Sequence, residues 1–299
     1  MAHATNRFAH TTDSAGTPAS VTQEASMTDV TVAHTAEDAD ALASAESAAA
    51  SHEARGGRDA ILELRDVSYR YKPGMPLVLD HVSHSFAAAR MHAVVGPSGT
   101  GKTTMLSLLS GLAVPTDGHV LYEGRDLAAL DRYAYRASTI GVIFQSFNLM
   151  PSMTVSENII MSMKLAGAYH GRKAAREDVL RVLEDVDLPD DYADRRIGHL
   201  SGGEQQRVAI ARVLSYRPSV IIADEPTGNL DPESTQIIVD IFRGIVEDGR
   251  TVIIVTHSRE VAAACDDVFD LSTLGKRTRP RKAVRRAPRS AAAASASSR

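Results

Sequence analysis

Apolar runs of strand length alternate with segments of helical periodicity across the middle of the chain, between residues 59 and 274. The predicted strands are Ile61–Ser68, Met91–Val95, His119–Tyr122, Ile140–Phe144, Val220–Ala223, Thr251–Thr256 and Val268–Leu271. The predicted helices begin after Gly101, Thr154, Arg172, Gly202, Glu233 and Arg259. This alternation predicts an α/β domain with a mainly parallel sheet wrapped by helices. Thr154–Leu188 shows helical patterning without strands, so we expect a helical insertion within about 145–205.

Both ends of the chain differ from this middle in composition. Residues 1–58 are rich in Ala, Ser, Thr, Asp and Glu, and residues 275–299 carry nine basic and no acidic side chains. Segments so poor in large apolar residues are predicted to be disordered. For the first end, a helix around Asp38–Ala54 is the weaker alternative, and Met27 is an alternative start of the chain. The basic end is expected to be a solvated tail, with binding to anionic lipid headgroups as the alternative.

Composition also excludes several classes of protein. Of the net charge of −4, the middle of the chain carries −8, which gives no reason to expect nucleic acid as a partner. The single cysteine, Cys265, cannot form an internal disulfide. No run of about 18 apolar residues is present, and the N-terminus lacks a secretory pattern. We therefore expect a cytoplasmic protein, for which any work at a membrane would have to go through a partner.

The segment Gly96–Thr104 reads GPSGTGKTT and fulfils the phosphate-loop pattern between a predicted strand and a predicted helix. Its glycines allow successive backbone N–H groups to face phosphate oxygens, with the helix N-terminus adding positive charge. Lys102 is expected to reach the β- and γ-phosphates of a nucleotide, and the Thr103 hydroxyl to coordinate Mg²⁺. The predicted nucleotide contacts in this loop are Gly96, Ser98, Gly99, Thr100, Gly101, Lys102, Thr103 and Thr104.

Two carboxylates follow the apolar strand Val220–Ala223. Ligands of open α/β sheets bind at the carboxyl ends of the strands. Asp224 is therefore predicted to hold Mg²⁺ directly or through water, and Glu225 to orient and deprotonate the attacking water.

The octet Leu200–Arg207, LSGGEQQR, places a Ser-Gly-Gly turn before a helix and so predicts a second anion site. One chain does not need two such sites for one triphosphate.

In this order, the three motifs resemble the nucleotide-binding subunit of an ATP-binding-cassette (ABC) transporter. The resemblance covers about Ile61–Leu271. It implies a P-loop NTPase cassette in which an antiparallel β subdomain and a helical subdomain accompany the parallel sheet. It also implies a head-to-tail homodimer, in which Ser201 and Gly203 cover the γ-phosphate held by the partner.

The same resemblance assigns roles to four further positions. Gln145 matches the glutamine that contacts Mg²⁺ and the attacking water, and His257 matches the histidine that contacts the γ-phosphate. Asp231 lies in the loop that crosses the dimer interface. Tyr71 matches the aromatic residue that stacks on adenine, with Tyr69 as the alternative. Four residues are thus expected to act in catalysis: Glu225, His257, Gln145 and Lys102.

Within the family, FQSFNLMPSMTVSENI and DEPTGNLD look most like the lipoprotein-release and macrolide-export branch. The expected function is the ATPase subunit that powers a separate membrane permease, located on the inner face of the cell membrane. An amino-acid importer subunit is the first alternative, because importers share a similar FNL segment. A non-transport ABC ATPase is the second, although such proteins usually carry two cassettes or a long coiled coil. His81 and His84 are predicted to lie on opposite faces of a strand, which disfavours a metal site between them.

Overall fold

The computed structural model describes residues 60–276, with side chains to residue 273. The prediction of disorder for residues 1–58 lies outside this range, as do the helix Asp38–Ala54 and the alternative start at Met27. Of the predicted disordered tail 275–299, only residues 275 and 276 are described, and they belong to a 3₁₀ segment. The strands are β1 Ala60–Tyr69, β2 Leu79–Ala87, β3 Met91–Val95, β4 Asp117–Tyr122, β5 Arg125–Asp126, β6 Ile140–Ile143, β7 Val220–Asp224, β8 Thr251–Val255 and β9 Asp267–Asp270. The helices are α1 Lys102–Leu109, α2 Arg132–Ala134, α3 Val155–Leu165, α4 Arg172–Glu184, α5 Gly202–Leu214, α6 Pro232–Glu247 and α7 Arg259–Ala263.

The strands form two sheets. Five parallel strands lie in the order β6-β7-β8-β3-β9, and four antiparallel strands lie in the order β2-β1-β4-β5. This arrangement confirms the predicted α/β class, with a parallel core sheet, an antiparallel subdomain and a helical insertion. Between β6 and β7 the described chain contains helices, 3₁₀ turns and one isolated bridge, Thr154 to Arg196, and no strand.

The parallel sheet is buried on both faces, which is why its strands read as continuous apolar runs. Alternate side chains of each strand point to opposite faces. Ile222 and Ile253 pack on one side with α1 and the antiparallel sheet. Ile221 and Ile254 pack on the other side with α3, α4, α5 and α6. The sheet thus holds the ends of its strands rigidly between two cores.

The structure contains three elements that the sequence did not predict, and it moves one predicted boundary. The unpredicted elements are strand β2, the short strand β5 and helix α2. The last strand begins one residue earlier than predicted, at Asp267, and the chain then forms a 3₁₀ segment over Leu271–Lys276. The predicted domain end at residue 274 therefore falls inside this segment.

His81 and His84 make different contacts in β2. His81 has a left-handed backbone with φ 52°, and its ring lies 2.8 Å from an Asp66 carboxylate oxygen. The His84 ring stacks on Phe269 with 3.8 Å between ring centroids.

Candidate functional site: a cavity at the carboxyl edge of the parallel sheet

The predicted site residues that follow β3, β6, β7 and β8 all lie at one edge of the sheet, because these four strands are parallel neighbours. A cavity of about 470 Å³ opens there, within the size range of small-molecule sites. It is lined by Tyr71, Val78, Ser98, Gly99, Gly101, Lys102, Thr103, Thr104, Gln145, Asp224 and Glu225. The fold thus brings the phosphate loop, both carboxylates, Gln145 and Tyr71 together around a single space.

The phosphate loop connects β3 to α1 and is shaped by a glycine at its end. Gly101 has φ 96°, a left-handed conformation that glycine adopts without strain. A Cβ at this position would lie 2.8 Å from Cδ2 of Leu79. The Lys102 ammonium donates to the carbonyl oxygens of Gly96 at 2.7 Å and Pro97 at 3.2 Å. These contacts hold the lysine over the loop, at the N-terminus of an eight-residue helix whose partial positive charge favours anions.

Asp224 and Glu225 stand at the end of β7 in different environments. Burial, and secondarily the charge of Glu225, raises the pKa of Asp224, while Lys102 and Thr103 act in the opposite direction. Glu225 has a left-handed backbone with φ 48°, and its N–H donates to the Val255 carbonyl at 2.9 Å. A non-glycine residue in this conformation stores strain of about 1–3 kcal/mol. The turn aims the Glu225 side chain into the cavity directly after the buried strand.

His257, at the end of β8, contacts Glu225 directly. Its Nδ1 lies 2.9 Å from Glu225 Oε2, and its backbone N–H donates to the same oxygen at 3.3 Å. Glu225 is 15% exposed and His257 is 70% exposed, so the histidine faces solvent while it fixes the carboxylate. A second, smaller cavity of about 200 Å³ lies on this side of Glu225, lined in part by Leu230 and Thr235.

Tyr71 lines the cavity at the edge of the phosphate loop, whereas Tyr69 is not part of the cavity lining. The Tyr71 hydroxyl lies 2.8 Å from the Thr104 hydroxyl, and the Tyr71 ring meets the Tyr69 ring edge to face at 5.3 Å. The ring is 63% exposed and therefore accessible to a planar ligand. Val78, which the sequence analysis did not name, provides an apolar wall beside it.

The Ser201-Gly202-Gly203 turn, called the signature turn below, lies outside this cavity. Ser201 caps α5 by accepting from the Glu204 N–H at 3.3 Å, and Glu204 accepts from the Ser201 N–H at 2.7 Å. Tyr192 donates to the second oxygen of Glu204 at 2.5 Å, and these bonds lower the pKa of Glu204. Neither Ser201 nor Gly203 is among the residues that line the nucleotide-sized cavity. A single chain therefore does not combine its two predicted anion sites.

Asp231 is the N-cap of α6, whose first turn packs against this turn. Its carboxylate accepts from the Ser234 N–H at 2.9 Å and from the Ser234 hydroxyl at 2.7 Å, which lowers the pKa of Asp231. A Cβ on Gly203 would lie 2.8 Å from Oγ of Ser234. The signature turn and the start of α6 therefore pack against each other within the chain. Asp231, like Ser201, lies outside the cavity lining.

The cavity offers oxygen ligands that suit Mg²⁺: the Thr103 hydroxyl, the Gln145 amide oxygen and the half-buried Asp224 carboxylate. Among residues 60–273 no group of three or more His, Cys, Asp or Glu side chains forms a metal cage. Mg²⁺ in nucleotide sites takes only one or two carboxylates and completes its shell with phosphates and water. The residues present therefore fit a magnesium–nucleotide complex.

A family model described as ABC transporter matches residues 79–228, which is half of the chain. The chain belongs to this family, and it is an ATP-binding ATPase subunit of an ABC transporter. None of the helices between residues 60 and 276 has the length and apolar character needed to cross a membrane.

Three relatives show which kinds of ABC protein this chain is similar to. The solved ATP-binding cassette MJ0796 of Methanocaldococcus jannaschii, a dimer in a post-hydrolysis state bound to ADP and Pi, is 34% identical. That match covers 70% of this chain and 93% of the cassette, with a TM-score of 0.63. The macrolide export ATP-binding/permease protein MacB of Syntrophobacter fumaroxidans is 39% identical over 68% of this chain and 29% of its own length. The methionine import ATP-binding protein MetN of Caulobacter vibrioides is 39% identical over 70% of this chain and 63% of its own length. Exporter and importer subunits are equally similar, so identity alone does not assign a direction of transport.

Proposed function

We propose that this cavity hydrolyses ATP by in-line attack of water on the γ-phosphate. The observation that carries the proposal is the convergence of Lys102, Gln145, Asp224 and Glu225 on one cavity beside an accessible aromatic ring. The N–H groups of the phosphate loop and the Lys102 ammonium bind the phosphates, and Tyr71 stacks on adenine. Preorganised positive charge and positioning supply most of the catalysis in phosphoryl transfer.

Glu225 acts as the general base. Its carboxylate is held by the backbone and ring of His257, so it faces the position of an attacking water in a fixed orientation. It takes one proton of that water as the new P–O bond forms, while the bond from the γ-phosphorus to the bridging oxygen breaks and ADP leaves with its electron pair. Thr103, Asp224 and Gln145 would hold Mg²⁺, which would neutralise phosphate charge.

The working unit is a homodimer in which each nucleotide is shared between two chains. Ser201 and Gly203 of one chain lie against the γ-phosphate bound by the partner, and Asp231 lies at the interface. Two observations support this: the signature turn lies outside the chain's own cavity, and the related cassette MJ0796 is described as dimeric.

The subunit drives a separate integral membrane permease and is located on the cytoplasmic face of the membrane through that partner. We propose an exporter of the lipoprotein, macrolide or peptide type, supported by the similarity to MacB. Import, supported by the similarity to MetN, is the second candidate.

The test of the ATPase is phosphate release by the purified chain with Mg²⁺ and ATP. The test of direction is to search the neighbouring reading frames for a permease, to co-purify it with this chain, and to measure hydrolysis in vesicles. Stimulation with a four-helix permease that has a large extracytoplasmic domain supports export. Stimulation only with an added substrate-binding protein contradicts export and supports import.

The cassette itself is proposed to extend from about residue 59 to the end of the 3₁₀ segment at Lys276. A fragment of residues 59–276 should unfold cooperatively and bind Mg-ATP with the affinity of the full chain, because the residues beyond it are poor in large apolar side chains. Loss of nucleotide binding in the fragment alone would assign a structural role to one of the ends.

A further inference from the structure

The loop that carries Gln145 has an unusual backbone. Phe147 and Asn148 are consecutive residues with left-handed conformations, φ 58° and φ 50°. Asparagine tolerates this region, whereas for phenylalanine the conformation costs about 1–3 kcal/mol and persists only when the surroundings enforce it. Some contact must therefore hold the segment two residues beyond Gln145.

Arg212, on α5, provides that contact. Its guanidinium donates to the Phe147 carbonyl at 3.0 Å and also to the Asn148 carbonyl. These bonds bridge 64 or 65 positions of the sequence. Burial lowers the pKa of Arg212, and no carboxylate of residues 60–273 is among the groups that shift it. The desolvated charge is thus directed at the two carbonyls of the strained pair.

The far end of the same loop is held from α3. Asn158 is fully buried, and its side chain accepts from the Met150 N–H at 2.8 Å and donates to the Met150 carbonyl at 3.2 Å. Two helices, α3 and α5, therefore fix the loop beyond Gln145, while Gln145 itself lines the nucleotide cavity. Of these contacts, that of Arg212 lies closer in sequence to Gln145.

We propose that Arg212 is a positioning residue for Gln145: it holds the left-handed Phe147–Asn148 pair and thereby keeps the Gln145 amide in the nucleotide cavity. This inference rests on the proposed role of Gln145 in hydrolysis. Arg212 does not line that cavity, so it acts on the reaction only through the loop. It also ties the loop to the helix whose first turn carries Ser201, about 16 Å away at 1.5 Å per residue.

The test is a double-mutant cycle in the full chain with Arg212→Met and Gln145→Ala. Methionine keeps an unbranched side chain but removes the donors. In the wild-type background Arg212→Met should lower kcat by roughly tenfold to hundredfold, the usual cost of a small misplacement at a reacting centre. The KM for ATP should change by less than about threefold, because no cavity-lining side chain is altered. In the Gln145→Ala background the same change should have almost no further effect on kcat.

Two variants separate positioning from general stability. Arg212→Lys retains one ammonium that can hold one carbonyl, so its kcat should be intermediate. Arg243→Met is the matched control, because Arg243 also donates to a backbone carbonyl, that of Ala264, and to the Asp266 carboxylate. It should reduce stability in either background and leave kcat at saturating ATP unchanged.

The possible failures have distinct signatures. An equal loss of kcat from Arg212→Met in both backgrounds, or unfolding of both the Met and the Lys variants, would overturn the positioning role. An unchanged kcat for Gln145→Ala would remove the role of Gln145 and this inference with it, while hydrolysis through Glu225 would still stand. Absence of hydrolysis by the wild-type chain with its permease would instead contradict the proposed function.

Discussion

Replacing Glu225 with glutamine removes the proposed proton acceptor and almost nothing else. The two side chains have the same shape, and the glutamine carbonyl can still accept from the His257 N–H groups that the Glu225 carboxylate now binds at 2.9 and 3.3 Å. The left-handed backbone at this position, φ 48°, is equally strained for both residues. We therefore expect the fold and the cavity to be unchanged.

The expected loss of turnover follows from the chemistry of the lost group. General-base assistance contributes about 10²–10⁴ in rate, which corresponds to roughly 2.7–5.5 kcal/mol of activation free energy. Binding should not suffer, since the negative charge of Glu225 contributes to the raised pKa of Asp224. Without that charge the pKa of Asp224 falls, and the carboxylate is ionised over a wider pH range. Glu225→Gln should thus bind Mg-ATP at least as well as the wild type.

The assay compares steady-state phosphate release with the oligomeric state in Mg-ATP, measured by light scattering. Glu225→Gln should turn over slowly and accumulate as an ATP-bound dimer. Glu247→Gln is the control, because Glu247 is exposed at the end of α6 and does not line the site cavity. Near-normal phosphate release from Glu225→Gln would refute the assignment of the base.

Three further changes test other parts of the site and fold. The chain contains no tryptophan, so Tyr71→Trp creates a single tryptophan whose emission should change saturably with Mg-ATP; a larger change in Tyr69→Trp would assign the adenine contact to Tyr69 instead. Ser201→Arg and Lys102→Ala should each be inactive, and mixing them should restore activity because one composite site of a mixed dimer carries neither defect. Specific activity of the wild type that is independent of concentration, from a chain that stays monomeric with ATP, would contradict a nucleotide site shared between two chains. Burial lowers the pKa of His92, so the unfolded chain binds more protons than the folded chain near pH 6. The free energy of unfolding should therefore fall as pH drops below about 6.5, by at most about 1.4 kcal/mol per pH unit. His92→Gln should reduce that slope in urea titrations, and an unchanged slope would exclude the histidine as its source.

The parallel sheet was predictable because burial on both faces leaves an unbroken apolar run, as in Val220–Ala223 and Thr251–Val255. Strand β2 was not predictable from the sequence, and its burial pattern shows why. Its buried residues Leu79, Val82 and Phe86 are spaced by three and four positions, since an irregularity at the left-handed His81 breaks the alternation. That spacing is typical of a helix rather than of a strand. The intervening polar residues removed the remaining signal.

Within the site, motifs made of neighbouring residues were accessible to sequence reasoning, and contacts between distant residues were not. The phosphate loop and the Asp224–Glu225 pair each combine backbone shape and chemistry within a few positions. The clamp of Arg212 on Phe147 joins residues 65 apart and depends on a left-handed backbone at Phe147, which phenylalanine does not favour. No local pattern could report it, because Arg212 occurs at an ordinary position of an amphipathic helix.

Two structural reasons account for a glycine at position 203 of the signature turn. Gly203 suits the close approach of an anion, but its missing Cβ also makes room for Ser234 at the start of α6. A loss of activity in Gly203→Ala would therefore not distinguish a lost phosphate contact from a displaced helix. Ser201 is the better probe: its side chain caps α5, and Glu204 can still bond the backbone N–H of residue 201 after Ser201→Arg. Because the arginine itself is bulky and removes a cap, only the recovery of activity in the mixture with Lys102→Ala separates a defect at a shared site from a defect in folding.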